Sequence, residues 1–338
     1  MTNMKSIVSW TLIACAVAAA AVAGQSDAVQ AHVAAAKAAA GTDFEGVFSR
    51  ICTEAVPPAT PAPQRGRGAP AARPAGPPPR ESWHAEPVKV FDNLYFLGQT
   101  EYSVWAVTTS AGVILIDSIF DYSVDDEVVG GMKKLGLDPA AIKYVIVSHG
   151  HADHSGGARY IQDRFNAHVL LGDADWDLLD RSNGTKPKRD MVATDGKKLT
   201  LGDTTITIYN TPGHTLGTLS TVFTVRDNGT PHVAVSWGGT AFNWMANRAA
   251  YVTPERPISF WFQTYSASAR RFKDIAAKAG ADVLISNHTI FDGSKVKIPA
   301  LERRKPGDPN PYVIGQRGVQ RYLTVTDECA QAGLAASQ

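Results

Sequence analysis

The run Ser148-His149-Gly150-His151-Ala152-Asp153-His154 places three imidazoles and one carboxylate within six consecutive positions, directly after the apolar stretch Tyr144-Val145-Ile146-Val147. Residues at i and i+2 leaving a strand end can converge on one cation. His149 and His151 therefore suit a first metal, while Asp153 and His154 face the other way toward a second. Neutral imidazole with a single carboxylate is the donor set of a borderline divalent ion such as zinc, whereas calcium and magnesium want oxygens. The spacing predicts two Zn2+ per chain. The competing reading is a histidine-rich surface loop, which needs four chance ligands between a buried strand and the Ser155-Gly156-Gly157 helix entry.

Neither half is complete with two protein ligands, so the remainder must lie downstream. His214 follows the β-rich run Thr204-Thr205-Ile206-Thr207-Ile208-Tyr209 in a turn set by Pro212-Gly213, and would complete three histidines around metal one. His288 leaves the apolar strand Val283-Leu284-Ile285 and would join Asp153 and His154 around metal two. A single strand-end histidine is ordinarily solvated or capping. Three such sites in one chain argue for ligation.

The elements that must position these residues are legible from periodicity. Strands are expected over 88–91, 95–97, 104–108, 113–117, 144–147, 169–171, 204–209, 219–225, 233–236 and 283–285, and helices over 125–135, 157–165, 174–179, 266–279 and 318–332. Strand groups alternating with helices between residues 83 and 338 suit one α/β domain with two sheets and outer helices.

A His-x-His-x-Asp-His run after a strand, a later Pro-Gly-His and a final strand-end His resemble the metallo-β-lactamase superfamily. That resemblance implies a four-layer αβ/βα sandwich. Val113-Ile114-Leu115-Ile116-Asp117 is similar to the family's first motif, whose aspartate braces the metal loop from outside the ligand shell, a role that falls to Asp117. Some branches carry a bridging aspartate or a zinc-binding cysteine between the Pro-Gly-His and the last histidine. Here that stretch reads His232-Val233-Ala234-Val235-Ser236-Trp237-Gly238-Gly239-Thr240, with neither. The chain is in this respect most similar to subclass-three metallo-β-lactamases, which hold metal two by Asp, His and His, and the opening from Trp83 to Gly98 resembles the start of that subclass. Those enzymes carry serines where this chain has Gly238-Gly239-Thr240; Thr240 could still donate one hydrogen bond to substrate, but Gly238 cannot.

The resemblance implies hydrolysis of a cyclic amide, a β-lactam, by hydroxide held between two metals about 3.5 to 4 Å apart. Asp153 would ligate metal two and orient the nucleophile. No Gly-x-Ser-x-Gly elbow suggests a serine nucleophile. The alternative within the fold is a zinc-dependent lactone, ester or other small-molecule hydrolase without significant β-lactamase activity, and the missing serines favour it. An iron-dependent sulfur dioxygenase would bind one metal. A non-catalytic binding protein braced by metal would need a closed site.

Other residues take plainer readings. His168 lies in a strand, His232 precedes one, His84 borders a linker and His32 sits in a tail, so none is given a metal role. The cluster Phe260-Trp261-Phe262 has the look of helix core. Trp237, Phe242 and Trp244 flank the strand end beside the expected metals and are candidates for the apolar wall of a small-molecule pocket.

Residues 1–23 have a basic start, an apolar run from Ile7 to Val22 and a small-residue Ala21-Val22-Ala23 pattern, which reads as a secretory signal peptide. A second cut could follow Ala31. Leu12-Ile13-Ala14-Cys15 resembles a lipoprotein box, but the apolar run continues past Cys15. The expected location is periplasmic or secreted, with no membrane span kept after processing. Export leaves Cys52 and Cys329, which could pair in an oxidising compartment.

Residues 24–52 form a helical segment whose Phe44, Val47, Phe48 and Ile51 share one face. That face would dock on its own subunit or make a homo-oligomer. Residues 53–82 are rich in Pro, Ala and Arg and read as a tether. Its arginines do not make a nucleic-acid site, because the 338-residue chain carries a formal net charge of only +1. The expected partner is a small-molecule substrate.

Overall fold

A computed structural model describes residues 26–57 and 76–338. The expected signal peptide, with the lipoprotein-like Cys15, lies outside the described residues. The alternative cut after Ala31 falls inside helix α1 (26–40).

Two sheets form the centre. The first runs in the order β1 (Val88–Phe91), β2 (Leu94–Phe96), β3 (Trp105–Thr109), β4 (Gly112–Ile116), β5 (Ile142–Ile146), β6 (His168–Leu171), β7 (Met191–Val192), antiparallel from β1 to β4 and parallel from β4 to β7. The second comprises β8 (Lys197–Leu201), β9 (Thr204–Asn210), β10 (Leu219–Asp227), β11 (Thr230–Trp237) and β12 (Val283–Ser286), with β12 parallel to β11 and the rest antiparallel. Strands β7 and β8 were not expected from periodicity. In β8 only Leu199 is buried, so the apolar alternation that marks a half-buried strand is nearly absent.

The alternation of side chains along each strand builds the layers. On β4, Ile114 and Ile116 join Ile206, Ile208 and Phe223 of the second sheet in the core between the sheets. Val113 and Leu115 point the other way, to a core shared with Val128, Met132, Ile161 and Trp176. On β11, Ala234 faces the inter-sheet core while Val235 and Trp237 face a third core roofed by helices. The result is helix, sheet, sheet, helix, the four-layer αβ/βα sandwich.

The helices are α2 (Glu45–Ala55), α3 (Gly131–Lys134, continuing a π-helical turn over Asp125–Gly130), α4 (Ala152–Ser155), α5 (Ala158–Phe165), α6 (Asp173–Asp180), α7 (Asn243–Ala246), α8 (Arg248–Tyr251), α9 (Ile258–Ala279), α10 (Ser294–Glu302) and α11 (Gly315–Ala336). Helix α2 runs three residues beyond 52. Its apolar face is covered by its own chain: Phe44, Val47 and Ile51 are buried in the core that holds Tyr322 and Val325 of α11. Cys52 and Cys329 form a disulfide with their Cα atoms 4.7 Å apart, which links α2 to α11 covalently. Among the described residues no helix is long and apolar enough to cross a membrane.

Candidate metal centre

The three strand ends named above meet at one edge of the sandwich. The loop after β5 carries His149 and His151, and His151 is the residue before the short helix α4 that bears Asp153 and His154. The turn between β9 and β10 carries His214, and the turn after β12 carries His288. Two triplets result, His149/His151/His214 and Asp153/His154/His288, each with its donor atoms within 4.8 Å of one another. The triplets abut, with the rings of His149 and His154 4.2 Å apart.

The backbone decides which ring nitrogens face inward. His149 Nδ1 donates to the Gly238 carbonyl at 2.8 Å and His214 Nδ1 to the Ala241 carbonyl at 2.5 Å, so each Nε2 bears a lone pair. Those two lone-pair nitrogens lie 3.1 Å apart, and His214 Nε2 is 3.2 Å from His151 Nδ1. The outer Nε2 of His151 is held by the Tyr251 hydroxyl at 2.6 Å. Facing acceptors cannot hydrogen-bond to each other. Burial keeps His149 and His214 neutral, their pKa values well below the ordinary 6.5, and pushes His151 down to about 4. Convergent neutral imidazoles at this spacing fit a tetrahedral zinc, whose Zn–N bonds of about 2.0–2.1 Å set neighbouring nitrogens slightly over 3 Å apart.

The second triplet is charged. His154 Nε2 lies 3.2 Å from Asp153 Oδ2 and 3.2 Å from His288 Nε2. Burial would lower His154, but Asp153 and Asp117 raise it to about 10. Burial would raise Asp153, yet His154 and the neighbouring imidazoles hold it well below the usual carboxylate range. Burial lowers His288 to about 3, helped by the charges of His154 and Arg50. A carboxylate and a histidine that favour positive charge between them, beside a histidine that stays neutral, suit a cation that would replace the proton on His154 Nε2.

Two buried aspartates hold the loops. Asp117, in a left-handed conformation at φ 65°, accepts from Ser148 N at 2.6 Å, Ser148 Oγ at 2.9 Å and His154 Nδ1 at 2.9 Å. The three bonds offset a backbone conformation that costs a β-carbon residue about 1–2 kcal/mol. Asp175 of α6 accepts from Gly150 N, Thr215 Oγ1 and Gly217 N at 2.7–2.9 Å, which ties the 148–154 loop to the His214 turn.

The groove over the triplets encloses about 320 Å3 and is lined by Asp153, His214 and His288 together with Tyr102, Asn243 and Arg50. Three expected substrate contacts do not reach it. Trp237 shares its face of β11 with Val235 and donates through Nε1 to the Tyr265 hydroxyl in the helix-covered core. Phe242 is fully buried against Trp244, Phe262 and Tyr265, and Thr240 Oγ1 is bonded to the Tyr322 hydroxyl. Proximity in sequence to the strand end misled in each case, because the side chains turn into the core. The residues read as non-ligating are paired elsewhere: His84 with Glu127, His168 with Asp190, His232 with Asp282 and His32 with Glu328.

Residues 97–230 match the family model described as the metallo-beta-lactamase superfamily. The structure is similar to that of BJP-1, a subclass B3 metallo-beta-lactamase of Bradyrhizobium japonicum, at TM-score 0.58 and 25% identity, over 70% of this chain and 89% of that one. The fold is that of the metallo-β-lactamase superfamily. The superfamily fold is shared also with the FEZ-1 metallo-beta-lactamase from Legionella gormanii (TM-score 0.58, 24% identity, 71% of this chain and 91% of that one). A hydroxyacylglutathione hydrolase of Klebsiella pneumoniae is 27% identical over 114 residues, 34% of this chain. The chain spans 40% of the length of that hydrolase, and 25% of the length of an uncharacterized protein of Methanocaldococcus jannaschii to which it is 29% identical over 99 residues.

Proposed function

We propose that the chain is an exported hydrolase that holds two zinc ions and opens the amide of a β-lactam. The observation that carries this reading is the juxtaposition of a three-imidazole triplet and an Asp/His/His triplet at one groove, with no further carboxylate grouped with them among the described residues. Zinc in such sites polarises a carbonyl and lowers the pKa of bound water to about 7.

The chain's own groups do the positioning. His149, His151 and His214 would hold the first ion, while Asp153, His154 and His288 would hold the second. Gly238 O, Ala241 O, Tyr251 and Asp117 fix ring orientation and tautomer from outside, so the donors are in place before substrate arrives. Asp153 contacts the imidazoles through Oδ2. Its other oxygen is the acceptor that would orient the attacking water. Export is supported by the leader-like residues 1–23 and by a disulfide, which persists in oxidising compartments.

One observation favours a second reading, a lactone or ester substrate. The strand end after β11 offers no hydroxyl to a substrate carboxylate, since Gly238 and Gly239 lack one and Thr240 is engaged by Tyr322. The deciding experiment measures hydrolysis of a chromogenic cephalosporin, a carbapenem and a γ-lactone by the zinc-loaded mature protein, with a chelated sample as blank. Chelator-sensitive β-lactam turnover of about 10⁴ M⁻¹s⁻¹ or more, the lower end of ordinary enzyme efficiency, is expected. Lactone turnover alone, with zinc bound, would replace the first reading by the second.

A further inference from the structure

A substrate carboxylate that finds no donor at the strand end must find one elsewhere in the groove. The N-terminal helix supplies one. Arg50 of α2 lines the groove beside Asn243 of α7, Asp153 and His288. Its Nε pairs with Glu54 Oε1 at 2.6 Å, and the other oxygen of Glu54 accepts the Phe242 backbone N–H at 2.9 Å. Glu54 therefore pins the guanidinium against the segment that also carries the Ala241 carbonyl and Asn243.

The pin uses one edge of the fork. A guanidinium has five N–H donors, and the Arg50 terminal nitrogens have no further hydrogen bond among the described residues. The Asn243 side-chain amide is likewise without a partner among them. The other charges on the groove wall are engaged: Glu101 is paired with Lys295, and Asp153 with His154 and His288. Arg50 remains half exposed, so solvent and ligand can reach it. Its helix is nonetheless fixed, with Val47 and Ile51 buried on one side and Cys52 bound to Cys329.

We propose that Arg50, with the Asn243 amide, forms the anion-anchoring subsite of the metal groove, and that it selects substrates carrying a carboxylate near the bond to be cleaved. The proposal deepens the hydrolase reading and rests on it. The subsite lies outside the strand-end region where the family resemblance would have put it.

The test compares zinc-loaded wild type, R50A and R50K on a chromogenic cephalosporin with a free carboxylate and on its methyl ester, and measures calorimetrically the binding of phthalate, a dicarboxylate that is not hydrolysed. A charged hydrogen bond is worth enough that R50A should lower the acid-to-ester ratio of kcat/KM about tenfold, through KM, and weaken phthalate about tenfold. R50K should recover part of both. Equal phthalate affinity in wild type and R50A, or an equal fall for acid and ester, would overturn the subsite. Arg50-dependent phthalate binding in a wild type that hydrolyses neither cephalosporin would support the subsite and remove the β-lactam reading instead. The far-ultraviolet spectrum and metal content of each variant identify a misfolded sample, and R50K, which keeps the aliphatic stem, then carries the comparison.

Discussion

A Cβ atom on Gly239 would stand 2.4 Å from Cβ of His214 and 2.6 Å from its Cγ. The imidazole occupies the volume that a side chain at 239 would need. Gly238 is as constrained, since a Cβ there would meet the Leu219 carbonyl oxygen at 1.7 Å. The pair makes a backbone cradle in which Gly238 O and Ala241 O orient His149 and His214. The absence of serines at these positions is thus a packing requirement of this chain.

Gly239→Ala is expected to displace His214 and weaken the first metal about 100-fold, the upper range for loss of a supporting contact. Zinc analysis after dialysis should then fall from two ions toward one, with turnover lost alongside. Two tightly held ions and wild-type rates in this variant would contradict the cradle.

Tyr251→Phe removes the hydroxyl 2.6 Å from His151 Nε2 while keeping the ring that packs on Trp261. Metal affinity at the three-histidine site should drop about tenfold. The absorption spectrum of the cobalt-substituted protein should shift as His151 loses its outer partner. An unchanged spectrum and affinity would show that Tyr251 is only a neighbour.

Asp292 is buried, and burial raises its pKa from 3.8 to about 6. The folded chain therefore keeps this proton to a higher pH than the unfolded chain does. Stability from the protonated group is full below about pH 4 and is lost as pH rises to about 6, on the order of 2–3 kcal/mol in all. Denaturant unfolding of wild type and Asp292→Asn across that window should show the fall in wild type and a flatter profile in the variant; parallel profiles would be the contrary result.

Replacing both Cys52 and Cys329 by Ser should lower the unfolding free energy by about 2–5 kcal/mol, because the bridge closes a very long loop of chain. Chemical denaturation under non-reducing conditions measures it. An unchanged midpoint would mean that the packing of α2 on α11 suffices alone.

Much of the candidate centre is legible in the sequence, because the grouping of the donor residues follows from their type and spacing. His149, His151, Asp153 and His154 sit in one run, and His214 and His288 each follow an apolar strand, so the strands had to bring them together. Direction was harder to read. Trp237, Phe242 and Thr240 are next to the centre in sequence, but the alternation of β11 and the turn after it send them into the helix-covered core. Tyr251 lies on a four-residue helix too short for periodicity, and Asp175 is in sequence one of two acids in the first turn of α6. Arg50 is hard to read for another reason: the periodicity of its helix marks the apolar face, while Arg50 lies on the exposed one.

Helix α2 is joined to the body by more than the polypeptide link that follows it. The helix is retained by a covalent cross-link to α11 and by its buried face, so a protease cut anywhere between residues 57 and 76 would sever the polypeptide without releasing Arg50. Such nicked protein would migrate as one species until a reductant is added and as two afterwards. Helices α2 and α11 thus serve as one clasp, and the chain between Cys52 and Cys329 behaves as a closed loop.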